Sequence, residues 1–438
     1  MFFPPLPPGD RRRPPRLVTL AACFMLATSS ASAQSTQSAH GTGMTLDEAL
    51  QIAQSRTSSL QASQAAVRGD AAIVGKAGQL PNPNLKLSVE DLPINGARAF
   101  TIGQDDFTMR GIGIEQEWVS PSKRRLRTAL AQRSVDQDRS AYLVKLADVR
   151  QQTAMAWLNA VYATRAVALN QALVDHLGAE LAARQASYRA AQGASPDIAQ
   201  ARLTLGNARD ALLDAQQERQ SALIDLSRWT ASGNVLQVAD EPPPLDSQVP
   251  NLSAGELAQV QPLLAAAHAA MSVADAATDV ARSDRNPNWT WGLTYFKRGG
   301  NYADYVSFGV SIPLPLNRKN IEDRDVEQKS EMGTQARLNY EDTERQVTAN
   351  IQSLATKLAN GRARLANLRQ TVLPAAEQKV QLANAAYRSG AGTLADAFEA
   401  RHTQLEMQLQ VLNLQRQVSL VWAALEFQIL PSDMIASE

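Results

Sequence analysis

Apolar positions along this chain recur with two periods. Leu85, Leu87 and Val89 alternate with Lys86, Ser88 and Glu90, and Ile112, Ile114 and Trp118 share one parity against Gly113, Glu115 and Glu117. The pattern returns later. Trp289, Trp291, Leu293 and Tyr295 alternate with Thr290, Gly292 and Thr294, and Val306, Phe308, Val310 and Ile312 with Ser307, Gly309 and Ser311. Period two predicts strands, here as hairpins over 84–118 and 289–312. Both follow an Asn-Pro-Asn opening, at 82–84 and 286–288.

Elsewhere the spacing is helical. Thr45 and Glu48 form a capping box, and the helix they start is expected to run to about residue 79, before Pro81 and Pro83. Residues 122–192 hold no proline and a single glycine, Gly178; a helix of that length spans roughly 100 Å. Its partner returns from 197 to about 230. In the second half, 318–387 contains only Gly333, Gly361 and Pro374 as breakers, and the returning segment 394–430 has none. Phe398, Leu405 and Leu412 fall seven apart with Leu409 between, which is coiled-coil spacing.

The two halves also match at their helical reversals. Tyr188, Asp197 and Arg202 keep the spacing of Tyr387, Asp396 and Arg401, with a Gly/Ser/Thr/Pro patch between Tyr and Asp in each. The chain therefore reads as a duplicated unit. The first repeat covers 44–232 with its tip at 188–202. The second covers 263–430 with its tip at 387–401. The proline-rich stretch 233–262 links them, 34–43 is expected to be disordered, and 431–438 is a tail whose last five or so residues share that expectation.

Composition supports long helices over compact domains: aromatics are 5% of 438 residues. Net charge is zero, which removes the electrostatic case for nucleic acid. Arg11, Arg12, Arg13 and Arg16, an apolar run over 17–27 and Ala31-Ser32-Ala33 make residues 1–33 an export signal. A second reading lipidates Cys23, which follows Leu20-Ala21-Ala22; the single cysteine otherwise leaves with the signal. No later run is long and apolar enough for a membrane helix, so any span must use strands. Four strands cannot close a barrel, and open edges do not persist in a bilayer. Two chains would give an eight-stranded barrel filled by side chains. Three would give twelve strands, the inferred solution, with four chains also open on sequence alone.

Each candidate residue has a structural reading beside the functional one. Asp396 follows Thr393 at capping-box spacing, and Ser195-Pro196 looks like an N-cap and first-turn pair ahead of Asp197. Arg202 and Arg401 fit solvated helix faces, and Tyr188 and Tyr387 fit packing at the reversals. Trp118, Trp289, Trp291 and Tyr295 fit either a membrane-interface belt or an aromatic core. Lys123, Arg124, Arg125 and Arg127 are expected where strand meets helix, facing headgroups or solvent. His40, His176, His268 and His402 are scattered without ligand spacing, and Met109, Met155 and Met407 are isolated, so no metal site and no cofactor is expected. No nucleophile triad, catalytic carboxylate pair or phosphate loop stands out, so the chain does not read as an enzyme.

The export signal, the duplicated layout, the Asn-Pro-Asn openings and the paired Tyr…Asp…Arg reversals resemble the TolC-type outer-membrane efflux proteins over 44–430. Residues 88–93 (Ser-Val-Glu-Asp-Leu-Pro), 106–113 (Asp-Phe-Thr-Met-Arg-Gly-Ile-Gly) and Glu115-Gln116-Glu117 resemble its heavy-metal branch, of the CzcC and CusC kind. The resemblance implies a mainly α fold with a small β part. Long antiparallel coiled-coil helices would form an α-barrel, and four transmembrane strands per chain would close a 12-stranded β-barrel in a homotrimer. It implies the outer membrane with a long periplasmic extension, a periplasmic membrane-fusion adaptor, and an inner-membrane resistance-nodulation-division pump driven by protons. Tyr188, Asp197, Arg202, Tyr387, Gly390 and Arg401 would lie at the adaptor-docking tips, and Asp396 and Glu399 at the periplasmic gate. Crowding of these carboxylates in the trimer would raise some of their pKa values and favour cations. Some relatives carry an arginine latch where this chain has Gly392. The expected function is an efflux conduit for heavy-metal cations. Drugs or small organic molecules are the alternative cargo, and a non-conducting periplasmic adaptor or scaffold is the alternative of another class.

Overall fold

The computed structural model describes residues 43–436 apart from 232, 234–236, 242, 300 and 301; the export segment, Cys23 and 34–42 lie outside the described residues. The first repeat runs α1 (Leu46–Arg56), α2 (Ser58–Ala77), β1 (Asn84–Glu90), β2 (Met109–Trp118), α3 (Pro121–Arg189) and α4 (Ser195–Thr230). After α5 (Ala254–Val260), the second runs α6 (Pro262–Asp284), β3 (Trp289–Arg298), β4 (Tyr305–Ser311), α7 (Glu322–Asn367), α8 (Leu373–Arg388) and α9 (Leu394–Glu426), followed by α10 (Ser432–Ala436).

The capping box at Thr45 and Glu48 starts α1, with both reciprocal bonds made at 3.2 and 3.0 Å. The single helix expected to 79 is two helices. Thr57 turns extended and its hydroxyl donates to the Trp229 carbonyl at 3.4 Å. The break lets Leu60 of α2 join Ala53 of α1 in one apolar patch with Tyr142, Leu143 and Leu146 of α3. The 69-residue α3 is continuous. Its first turn combines Ser120 as N-cap with Pro121 at the position where a missing N–H costs nothing. A π-turn over Leu368–Val372 separates α7 from α8 immediately before Pro374; the wider turn absorbs a residue that cannot donate to the ladder.

Near the strands the helices lie side by side in the order α2, α3, α6, α7. The main core sits at the waist. Trp157, Leu158 and Val161 of α3, Leu226 of α4, Val347 and Ile351 of α7, and Val418, Trp422 and Leu425 of α9 meet there. Each such side chain contributes about 1.5–3 kcal/mol by leaving water. The stretch expected only to link the halves is woven into this waist. Val238 pairs with Met44, the Trp422 indole donates to the Asp246 carbonyl at 3.0 Å, and Val249 and Leu257 are buried. The tail is ordered through α10, where Ile435 packs on the α1–α3 patch, because Pro431 starts a new turn and its carbonyl accepts from Met434 and Ile435.

The four strands form one antiparallel sheet in the order β1-β2-β3-β4. The two hairpins are joined through β2 and β3, whose pairing runs from Met109↔Arg298 to Trp118↔Trp289.

Candidate functional site

Register sorts the sheet into two unlike faces. Leu85, Ile114, Leu293 and Phe308 lie across from one another on one face, as do Leu87, Ile112, Tyr295 and Val306. This face is apolar yet open: Leu85 and Phe308 are each 68% exposed. The other face carries Lys86, Ser88, Glu115, Thr294 and Ser307, with Gly111, Gly113, Gly292 and Gly309 interspersed. Lys86 and Glu115 pair there at 3.1 Å. A Cβ on Gly111 would lie 2.5 Å from the Ser88 hydroxyl and 2.7 Å from the Phe296 ring, and one on Gly113 would collide with Thr294. The polar face is thus the more crowded one, and glycine permits the close approach there.

Trp118 and Trp289 are directly paired on the rung nearest the helices, ring centroids 5.9 Å apart, with Trp291 beside them. Tyr295 lies six residues along β3, about 20 Å away, bonded to Asp304. The four aromatics chosen from sequence therefore stand at two heights on one face.

Where strands become helices, Lys123 and in part Arg124 turn inward instead of facing headgroups or solvent, while Arg125 is exposed as expected. Lys123 is 5% exposed; it bonds the Asn286 carbonyl and the Asn288 side chain (3.0 Å) and pairs with Asp284 at 3.3 Å. Asn288 in turn donates to Glu117 at 2.7 Å. Arg124 donates to the carbonyls of Val119 and Gly78, and Arg127 reaches Asp284 at 3.2 Å. A buried ammonium needs such partners, and the second Asn-Pro-Asn supplies two of them. The repeated motif was visible in the sequence; its buried cation was not.

At the far end of α3 the two reversals close alike. The N–H of Gln192 donates to the Ser187 carbonyl at 3.0 Å, and that of Ala391 to the Ala386 carbonyl at 2.9 Å. Ala191 and Gly390, at matching places, both take left-handed φ, 59° and 75°. Tyr188, Asp197, Arg202, Tyr387, Gly390 and Arg401 are all exposed. Within the single chain Tyr188 and Tyr387 are 49% and 45% exposed. Ser195 is not the N-cap of α4: Ala194 holds that place without a side-chain bond, which leaves Asp197 in an uncapped first turn.

Asp396 does cap. Its carboxylate accepts from the Thr393 N–H at 2.9 Å and hydroxyl at 2.7 Å, and the Thr393 hydroxyl accepts the Asp396 N–H at 3.1 Å. The Thr393 hydroxyl, then its N–H, hold the Asp396 carboxyl below the usual carboxylate range. Within one chain the shift is thus opposite to that expected from crowding, because the cap favours the charged form. Asp396 and Glu399 are both exposed, three residues apart on α9. Gly392 has a packing reason: a Cβ there would come within 2.9 Å of the Ala386 Cβ. A crevice of about 270 Å³ separates the tips, lined by Arg184, Ser187 and Asp197 on one side and Thr393, Ala395 and Phe398 on the other.

Two histidines far apart in sequence meet near this crevice. The His176 ring of α3 lies tilted against Phe398 of α9, centroids 5.4 Å apart, and its Nε2 bonds the Phe398 carbonyl at 3.0 Å. His402 lies close enough for the two rings to sense each other's charge, and bonds Glu406 at 3.2 Å. Among the described residues no three His, Cys, Asp or Glu side chains gather to hold a metal ion. No single helix among them is long and apolar enough to cross a membrane.

Residues 254–429 match the sequence model of a family described as outer membrane efflux protein. Over that part of its length the chain is similar to this family of outer-membrane efflux proteins. The cobalt-zinc-cadmium resistance protein CzcC of Cupriavidus metallidurans is 28% identical over 375 residues, covering 84% of this chain and 86% of the relative. Among solved structures, a membrane protein from Pseudomonas aeruginosa superposes with a TM-score of 0.74 at 16% identity, over 87% of this chain and 90% of that one. The CmeC outer membrane channel of Campylobacter jejuni does so with 0.71 at 15% identity, over 97% of both. These likenesses establish the fold.

Proposed function

We propose that three copies of this efflux protein close their sheets into a twelve-stranded barrel above a shared helical tunnel, and that the conduit exports heavy-metal cations. The single observation that carries the cargo is the similarity to CzcC along nearly the whole chain. Closure is supported by the unpaired outer edges of β1 and β4. One exposed apolar face and one polar face suit lipid outside and water inside. A non-conducting scaffold has no use for such strands.

In this reading the exposed tips meet a periplasmic adaptor through Tyr188, Asp197, Arg202, Tyr387, Gly390 and Arg401, and a resistance-nodulation-division pump in the inner membrane supplies proton-driven force. Asp396 and Glu399 of three chains make a double ring of carboxylates at the mouth, which favours cations without selecting among them. Choice of metal then belongs to the pump and adaptor.

The test is deletion of this chain in its own host, with growth measured against cobalt, zinc and cadmium salts and against hydrophobic drugs. Lowered tolerance to metals alone supports the reading. Lowered tolerance to drugs alone replaces the cargo with organic molecules, and unchanged tolerance to both removes the efflux role. For the mouth, the Asp396→Asn, Glu399→Gln double variant should lose cation preference in planar bilayers, and unchanged selectivity takes these residues out of the gate.

A further inference from the structure

We propose that His176 is an acid-released clasp between the two helical hairpins at the periplasmic end. The first hairpin (α3–α4) and the second (α8–α9) meet below the waist through a small apolar cluster: Leu173 and Leu177 of α3, Leu205 and Ala208 of α4, and Leu405 of α9. His176 sits within this stretch of α3 and makes a directional contact across it, its ring tilted against that of Phe398 and its Nε2–H donated to the Phe398 carbonyl. That bond fixes the neutral tautomer, with the proton on Nε2. Phe398 also lines the crevice between the tips, two residues from Asp396. The clasp therefore ties the start of α9, which carries the candidate gate, to the continuous helix α3.

The surroundings of the imidazole oppose its charge. Burial comes first in lowering its pKa, and His402 and Arg401 of α9 add repulsion; the Phe398 carbonyl and Glu180 of α3 act the other way without prevailing. Glu180 is itself engaged by Arg184 at 2.6 Å, and Glu406 by His402. Against the same stretch α4 brings Leu205 and Ala208. When the hairpins part, His176 regains its ordinary value near 6.5. The parted state then binds the proton more readily than the docked state. Docking stability from His176 is complete above about pH 6.5 and falls as acid protonates the parted form. Acidification thus favours separation of the hairpins. In the proposed conduit this would loosen the mouth when the periplasm is acid, a consequence that rests on the gate reading; the clasp itself does not.

Cys23→Ser removes the sequence's only cysteine, so cysteines placed at Ser187 and Ala395 on the two walls of the crevice can carry spin labels without competition. Distances between them are measured in the full-length purified protein by double electron–electron resonance at about pH 7.5 and about pH 5.5, either side of the imidazole range. The wild-type background should gain a longer-distance population several-fold at the acid pH. His176→Gln keeps an N–H donor but cannot titrate, and should hold the short distance at both. The same gain in His176→Gln, or none in the wild-type background, overturns the proposal. If His176→Gln does not fold, Glu180→Gln is the second variant. Removing that carboxylate should enlarge the parted population at the acid pH, and an unchanged population overturns the clasp. The readout needs no conductance, so failure to conduct in bilayers would count against the proposed function alone.

Discussion

The two tips end their first helices with the same backbone bonds and begin their second helices with different chemistry. At the first tip, Ala191 takes the left-handed turn and Ala194 starts α4 with no side-chain cap. At the second, Gly390 takes the turn and Thr393 and Asp396 make a full capping box. An alanine held left-handed costs about 1 kcal/mol that glycine does not incur. Duplication kept the geometry while composition made one tip strained and loosely started, the other relaxed and pinned. The pinned tip is the one whose first turn carries Asp396, with Glu399 three residues on. A cap that fixes a carboxylate also holds its charge in one place, so structural and gating roles of Asp396 are compatible.

Thr393→Ala should erode this difference most. It removes the capping hydroxyl, at about 1–2 kcal/mol, and amides at the start of α9 should exchange roughly tenfold faster in hydrogen–deuterium measurements while those of α4 stay as they were. Equal exchange before and after would mean that the box does not set the tip's stability. Exchanging the turn residues comes next. Gly390→Ala should destabilise the second tip by about 1 kcal/mol, and Ala191→Gly should stabilise the first by somewhat less, since glycine also loosens the unfolded chain. Both are read by thermal unfolding combined with site-resolved exchange, and the same sign at both sites would contradict the strain argument. Ala194→Ser should give α4 the cap it lacks, a gain of about 0.5–1 kcal/mol. The smallest effect is in pH. The Asp396 carboxyl is depressed by Thr393, so its contribution is complete above its unfolded value and is lost as pH falls below about 4. Amide exchange at the second tip should quicken there ahead of the first, and parallel acid responses would show that the carboxylate cap is not the cause.

Strands, helix reversals and the capping box at Thr393 were legible because their signals are local: a period of two, a proline-free run, a cap and its partner three residues on. The crowded polar face was half legible. Alternation put glycines opposite the apolar parity, but that Gly111 faces Phe296 and Gly113 faces Thr294 depends on cross-strand register. Lys123 looked like a surface cation because its partners Asp284, Asn286 and Asn288 lie more than 160 positions away. His176 looked solitary for the same reason, its contact being to Phe398. Ser195 failed as a cap although its residue type was right, since the turn delivers Ala194 to the capping position.

By itself the sequence determined the duplicated α–β–α order, the unbroken run of α3 and the two faces of the strands, because each follows from spacing along a few turns or rungs. Only the tertiary structure decided how the linker joins the waist, how a lysine came to be buried at the strand–helix junction, and which histidine ties one hairpin to the other. Those depend on long-range packing, where a side chain's partners are set by the path of the whole chain.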